Sequence, residues 1–270
     1  MTTSVAATNA TSSHRHKQVH HSNDSTVVGQ GPCPSCTSSD AFTSYSDGHG
    51  YCFSCQHYAH AAGKGGVHQE RYRVLDDQLI QGDHKALTDR KISAETCEKF
   101  GYSIGNYNGR PCHIANYHDM TGKLVMQKLR FANKEFMVLG DIKQAGLFGA
   151  QLYGKGKMIV VTEGEIDALT IAEMQGHGKW PVVSVPNGAA GAKKALAKSV
   201  DYLSNFETVV LMFDNDEPGR KASAECAEML GPSRCKIAVL PLKDPSDMMK
   251  AGRMSELLDA MWNARPYQPE

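Results

Sequence analysis

Between residues 157 and 242 short apolar runs alternate strictly with helical segments, and few folds accept that rhythm. "KMIVVTEG" predicts a strand, "EIDALTIAEMQG" a helix closing at Gly176, "WPVVSVPNG" a strand and "AAGAKKALAKSVDYL" a helix. "ETVVLMFDND" predicts the next strand, "GRKASAECAEMLG" a helix stopped by Gly231 and Pro232, and "CKIAVLPL" a further strand. The strands are apolar almost throughout, not at every second position, so both of their faces must be covered. That is the mark of a parallel sheet wrapped by helices. Such sheets bind ligands beyond the carboxyl ends of their strands.

Acids fall at those ends. Glu163, Glu165 and Asp167 follow the first strand, Asp214 and Asp216 the third, and Asp244 and Asp247 the fourth. In "VVLMFDNDEPGR" two acids one residue apart close a buried strand, where they repel each other. A single loop acid is ordinarily solvated. A convergent set is tolerable when divalent cations neutralise it, and Mg²⁺ suits a few carboxylates plus substrate phosphates. Gly164 lets the backbone beside Glu163 approach a phosphate closely. In "MQKLRFANKEF", Lys128 and Arg130 share one face of a predicted strand and Lys134 follows a turn. These cations either grip a triphosphate or nucleic-acid backbone or are solvated strand charges. The chain lacks the G-x-x-x-x-G-K-[ST] loop of NTP-driven motors; "NGAAGAKKA" does not have its spacing.

Four of the eight cysteines form two C-x-x-C knuckles, "CPSC" at 33–36 and "CFSC" at 52–55, with fifteen residues between them. Each knuckle places two thiolates on a tight turn, and two knuckles complete a zinc tetrahedron. With Cys33, Cys36, Cys52 and Cys55 all bound, one Zn²⁺ has no open position and is structural. A redox dithiol would need only one pair. Cys97, Cys112, Cys226 and Cys235 are scattered and read as small buried residues. Between the knuckles, "TSSDAFTSYSDGHGY" carries aromatics with Asp47 and His49. They either read unpaired bases or cover the ribbon's thin core.

The expected organisation is a disordered tail over 1–30, a zinc ribbon over 31–60 and a Gly-rich linker over 61–83. A small mixed α+β subdomain over 84–154 and the parallel-sheet subdomain over 155–265 follow. In the former, "KALTDRKISAETCEKFG" predicts one or two short helices ending at Gly101. "RPCHIANYHDMTGKLVMQKLRFANKEFMVLG" predicts antiparallel strands turning at "DMTG". Lys plus Arg and Asp plus Glu both number 29, so the whole chain carries no polyanion signal, although a local basic groove can hide in the balance. No apolar run approaches the ~20 residues of a membrane span and no secretory leader opens the chain, so a cytoplasmic protein is expected.

"TEGEIDAL", "FDNDEPGR" and "KDPSD", in this order on an alternating chain, resemble the TOPRIM fold of primases and topoisomerases. A four-cysteine ribbon, linker and TOPRIM domain together resemble the primase half of bacteriophage primase–helicase proteins, from Cys33 onward. The resemblance implies a DNA primase making short RNA primers from NTPs on single-stranded DNA during phage-type replication, in the host cytoplasm if phage-encoded. It implies Mg²⁺, one or two ions, on Glu163, Asp214 and Asp216, with Asp167 and Asp244 supporting. Lys128 and Lys134 would contact the incoming nucleotide, Arg130 its phosphates, and Asp47 with His49 the template. Partners would be the template, the nascent primer, a DNA polymerase and a replicative helicase, in the same polypeptide or separate. The chain stops at Glu270 without a helicase phosphate loop, which fits an excised fragment or a stand-alone primase. A TOPRIM nuclease or topoisomerase, or a non-catalytic single-strand binder, would share parts of this pattern.

Overall fold

The structure, a computed structural model, describes residues 26–34, 39, 42–52, 58–59 and 79–269. The chain divides into two compact units, Met1–Gln69 and Glu70–Glu270.

In the first unit β1 (Val27–Gly31), β2 (Phe42–Tyr45), β3 (Gly50–Cys52) and β4 (Tyr58–Ala59) form an antiparallel sheet in chain order. Gly50 on β3 packs against the Phe42 ring, which a side chain there would strike at 2.3 Å. Strand β1 corrects the expected disorder of 1–30, since Val27–Gln30 are paired with β2. The rest of that tail up to residue 25, with its histidines, and linker positions 61–78 lie outside the described residues.

The second unit begins before residue 84, correcting the far end of the expected linker. Its first sheet holds β5 (Gly82–Asp83), β6 (Tyr102–Tyr107), β7 (Arg110–His118), β8 (Leu124–Phe131) and β9 (Phe136–Gly140), antiparallel in chain order. Helix α1 (Ala94–Phe100) is capped by Ser93, whose hydroxyl accepts from the Thr96 amide. It ends on Gly101 in the left-handed region at φ 69°. The turn at "DMTG" is present between β7 and β8, as the sequence predicts.

The chain then alternates: β10 (Gly156–Thr162), α2 (Glu165–Met174), β11 (Val182–Ser184), α3 (Gly188–Lys198), α4 (Val200–Leu203), β12 (Phe206–Met212), α5 (Glu217–Leu230) and β13 (Cys235–Ile237). The sheet order is β11-β10-β12-β13, all parallel. Both faces are covered, which explains the continuous apolar runs. Val160, Val210 and Met212 pack with α2, while Ile159, Val161, Val209 and Leu211 pack with α3 and α5. Two helices and an edge strand go beyond the sequence reading: α6 (Pro245–Lys250), α7 (Met254–Trp262) and β14 (Arg265–Pro266), the last antiparallel to β13. Met248, Leu257 and Met261 of α6 and α7 join the α2 face of the core. The predicted helix over 189–203 is broken at Ser199 into α3 and α4.

Candidate active site

β10 and β12 are parallel neighbours, with Val161 opposite Leu211 and Thr162 opposite Met212. The chain leaves β10 toward β11 on one side and β12 toward β13 on the other, so the strand order reverses between them. Loops diverge at such a point and open a crevice. Glu163 and Asp214, just past the ends of β10 and β12, flank it. Asp216 stands at the start of α5, where its Oδ1 accepts from the Gly219 amide at 3.0 Å. Gly219 is required there, since a Cβ would lie 2.2 Å from the Asp214 carbonyl oxygen. Asp244 caps α6 in the same way, its Oδ1 accepting from the Asp247 amide at 2.7 Å. Asp167, in the first turn of α2, accepts from the Ser246 amide through Oδ1 at 3.2 Å.

The acids disfavour each other's charge. Burial, with Asp214 and Asp216 adding to it, raises the Glu163 carboxyl above the usual carboxylate range. Glu163 Oε2 is buried with no hydrogen-bond partner. Burial, then Asp244 and Asp214, hold the Asp167 carboxyl well above its ordinary value. Burial raises Asp214 too, against the pull of Lys243, whose Nζ lies 3.2 Å from Asp214 Oδ2 and 3.6 Å from Asp216 Oδ2. An ammonium thus stands where the acids want a cation. Among the described residues no three Asp, Glu, His or Cys groups converge closely enough to cage a metal by themselves. Hard carboxylate oxygens in an open set, one of them buried and unpartnered, fit an ion that completes its shell with water and phosphate.

Cations face these acids from the first sheet. Lys128 Nζ lies 2.9 Å from Glu165 Oε1 and donates to the Pro186 carbonyl at 2.8 Å. The buried Tyr117 hydroxyl donates to the same Glu165 oxygen. Burial, with the Glu165 carboxylate, holds the Tyr117 phenol well above its usual range. Four carboxylates (Glu163, Glu165, Asp167, Asp214) and three cations (Lys128, Arg130, Lys243) line one cavity of about 430 Å³. Lys134 is not in its lining; it sits exposed in the β8–β9 turn at φ 63°. Glu165, grouped by the sequence with the metal acids, instead anchors Lys128. Lys243 and Tyr117 were missed. "KDPSD" displayed the lysine, but nothing local ties Tyr117 to a glutamate 48 positions away.

Two family models match the second unit. Residues 82–140 match "Bacteriophage T7 DNA helicase/primase, N-terminal a+b fold" and residues 160–249 match "Toprim-like". The crystal structure of the primase fragment of the bacteriophage T7 primase-helicase protein is 41% identical, with a TM-score of 0.65, and aligns over 88% of this chain and 100% of that one. The chain belongs to that primase family. A second phage T7 structure is 46% identical over 69% of this chain and 94% of that one, with a TM-score of 0.66. It shows a lagging-strand DNA polymerase interacting with two primase domains bound to an RNA/DNA hybrid and dTTP. The DNA helicase/primase of Enterobacteria phage T3 is 41% identical over 258 residues, 92% of this chain. The T3 match spans 45% of that relative's length, so this member of the family covers less than half of it. Its second unit is the α+β subdomain and parallel TOPRIM-like subdomain that the sequence predicts. Among the described residues no helix is long and apolar enough to cross a membrane.

In the first unit Cys33 and Cys52 are buried. The register Gly31–Phe42–Cys52 places both at one end of the sheet, while Cys36 and Cys55 lie outside the described residues. His49 is only 5% exposed, stacked on Tyr45 with ring centroids 4.2 Å apart. Its Nδ1 lies 2.5 Å from Oδ1 of the exposed Asp47. The hairpin therefore presents Asp47 outward and folds His49 in.

Proposed function

We propose that this chain is a DNA primase, joining ribonucleotides into short RNA primers on single-stranded DNA at a short recognition sequence. The observation that carries the reading is the crevice between β10 and β12, where mutually repelling carboxylates face Lys128 and Arg130 across one cavity. Glu163, Asp214 and Asp216 would hold one or two Mg²⁺ ions, with Asp167 and Asp244 supporting them. Bound magnesium would lower the pKa of an attacking 3′-hydroxyl and neutralise the triphosphate. Lys128 and Arg130 orient the phosphates so that the 3′-oxygen of one nucleotide faces the α-phosphorus of the next. The new P–O bond forms as the bond to pyrophosphate breaks. Glu165 and Tyr117 hold Lys128 in place, and positioning of this kind supplies much of the rate in phosphoryl transfer. Lys134, outside the cavity, would meet the nucleotide at the rim.

Cys33, Cys36, Cys52 and Cys55 would bind one structural Zn²⁺; the shared sheet end of Cys33 and Cys52 supports this. Asp47 would meet template bases directly, with His49 holding it out. His49→Ala is expected to lose template-sequence dependence more than extension of a pre-made dinucleotide; equal losses in both assays would make the hairpin a structural element. A nascent primer, a DNA polymerase and a helicase would be the partners of this chain; the phage T7 complex of a DNA polymerase with primase domains on an RNA/DNA hybrid and the phage T3 helicase/primase support this.

The test is direct. The chain is incubated with Mg²⁺, labelled ribonucleotides and a pool of single-stranded templates, and the products are sequenced. Short RNAs starting at one template motif support the reading. Template cleavage without RNA would replace it with a strand-breaking TOPRIM enzyme.

A further inference from the structure

The antiparallel sheet presents a patch to the crevice that the mechanism above uses only in part. Arg130 pairs with Phe136 and Lys128 with Val138 across β8 and β9, so all four side chains share one face. All four line the cavity that holds the acids. Val138 is buried, but Phe136 is 48% exposed and belongs to none of the hydrophobic core clusters. The neighbouring aromatics of the subdomain, Tyr102, Tyr117 and Phe131, are buried. Lys128 Nζ lies 4.9 Å from the Phe136 ring centroid and the Arg130 guanidinium carbon 5.9 Å from it. One phenylalanine ring thus stands half in solvent beside the two cations that would grip phosphate.

We infer that Phe136 is the stacking platform for the base of the nucleoside triphosphate whose phosphates Lys128 and Arg130 hold. The inference rests on the nucleotide-joining reading of this cavity and adds the recognition of the base to it. A nucleotide is a phosphate chain and a flat base joined through one sugar, and the cavity offers cations and an aromatic ring at that kind of separation. Every base has a π-face, so a ring accepts all four nucleotides, as an enzyme copying a template needs. The Arg130 guanidinium extends the surface, since guanidinium planes stack on bases as well. Lys128 Nζ, held by Glu165 and the Pro186 carbonyl, lies over part of the ring, and a base stacks on the solvent-exposed remainder of Phe136.

Binding of ATP and of inorganic tripolyphosphate, measured calorimetrically on the full chain with Mg²⁺, separates base from phosphate. Phe136→Ala is expected to weaken ATP roughly tenfold, within the usual range for loss of one base–aromatic stack, and to leave tripolyphosphate unchanged. Phe136→Leu keeps apolar cover over the Lys128 and Arg130 stems but removes the ring, and is expected to behave like the alanine variant. Phe136→Trp is expected to keep ATP affinity, with indole emission quenched by ATP and unaffected by tripolyphosphate. Wild-type affinity in the leucine variant, or equal losses of ATP and tripolyphosphate, would overturn the inference. These readouts involve no polymerisation, so a chain that binds ATP on Phe136 yet makes no RNA would refute the primase reading and leave the stacking site standing.

Discussion

Asp214→Asn is expected to abolish dinucleotide synthesis and at the same time raise the melting temperature. The loss follows from removing one of the carboxylates that would hold magnesium at the crevice. Metal stabilisation of charge in such reactions is worth several kcal/mol, so a drop of about 10³-fold or more is expected. The gain in stability follows from the electrostatics of the folded chain. Burial holds the Asp214 carboxyl above its usual range, so folding disfavours the charged form. That penalty is absent below the ordinary carboxylate range and grows as pH rises through and above it. A neutral amide removes it, and Lys243 keeps a partner in Asp216. Thermal melting without metal, together with primer synthesis on single-stranded template, checks both halves. Normal synthesis would refute the metal assignment, and a fall in melting temperature would refute the account of the repulsion.

Glu165→Ala is expected to be the most destabilising change at the site. The Lys128–Glu165 pair is largely buried, and Tyr117 spends its only donor on the same carboxylate. Removing one partner of a buried pair leaves the other charge uncompensated, which typically costs about 3–5 kcal/mol. In a unit of about 200 residues that lowers the melting temperature on the order of 10 °C. Glu165→Gln still accepts from Tyr117 but also leaves Lys128 without its counter-charge, so it is expected to recover only about 1 kcal/mol of that loss. Differential scanning calorimetry of the two variants decides; near wild-type melting in both would mean that Lys128 finds another partner. Synthesis should fall in both, because Lys128 loses the contact that aims it into the cavity.

The parallel sheet was legible because its evidence is local. Continuous apolar runs, helix-stopping glycines and acids at strand ends all lie within a few residues of each other. The last two helices were less so. In "LPLKDPSD" the acids display a ligand pattern, while the cap that Asp244 provides to α6 depends on the backbone conformation there. Disorder was overextended at the N-terminus because Val27 and Val28 are exposed and their strand draws its order from pairing with β2, which no composition reveals. The site's positioning contacts were illegible for the same reason: Tyr117 to Glu165, Lys128 to Pro186 and Ser246 to Asp167 each join distant segments. What the sequence does supply is the inventory, while the fold decides which acid meets which cation.

The backbone amides that cap α5 and α6 and meet α2 each occupy one oxygen of an acid: Asp216, Asp244 and Asp167 all engage Oδ1 in this way. Each therefore offers its Oδ2 more readily than its Oδ1. Calcium is served by numerous ligands and by carboxylates that chelate with both oxygens, whereas magnesium takes six compact contacts one oxygen at a time. Helix capping would thus bias the crevice toward an ion that takes one oxygen per carboxylate. Calcium is expected to bind this crevice more weakly than magnesium in competition titrations, and tighter calcium binding would mean that the caps open on loading.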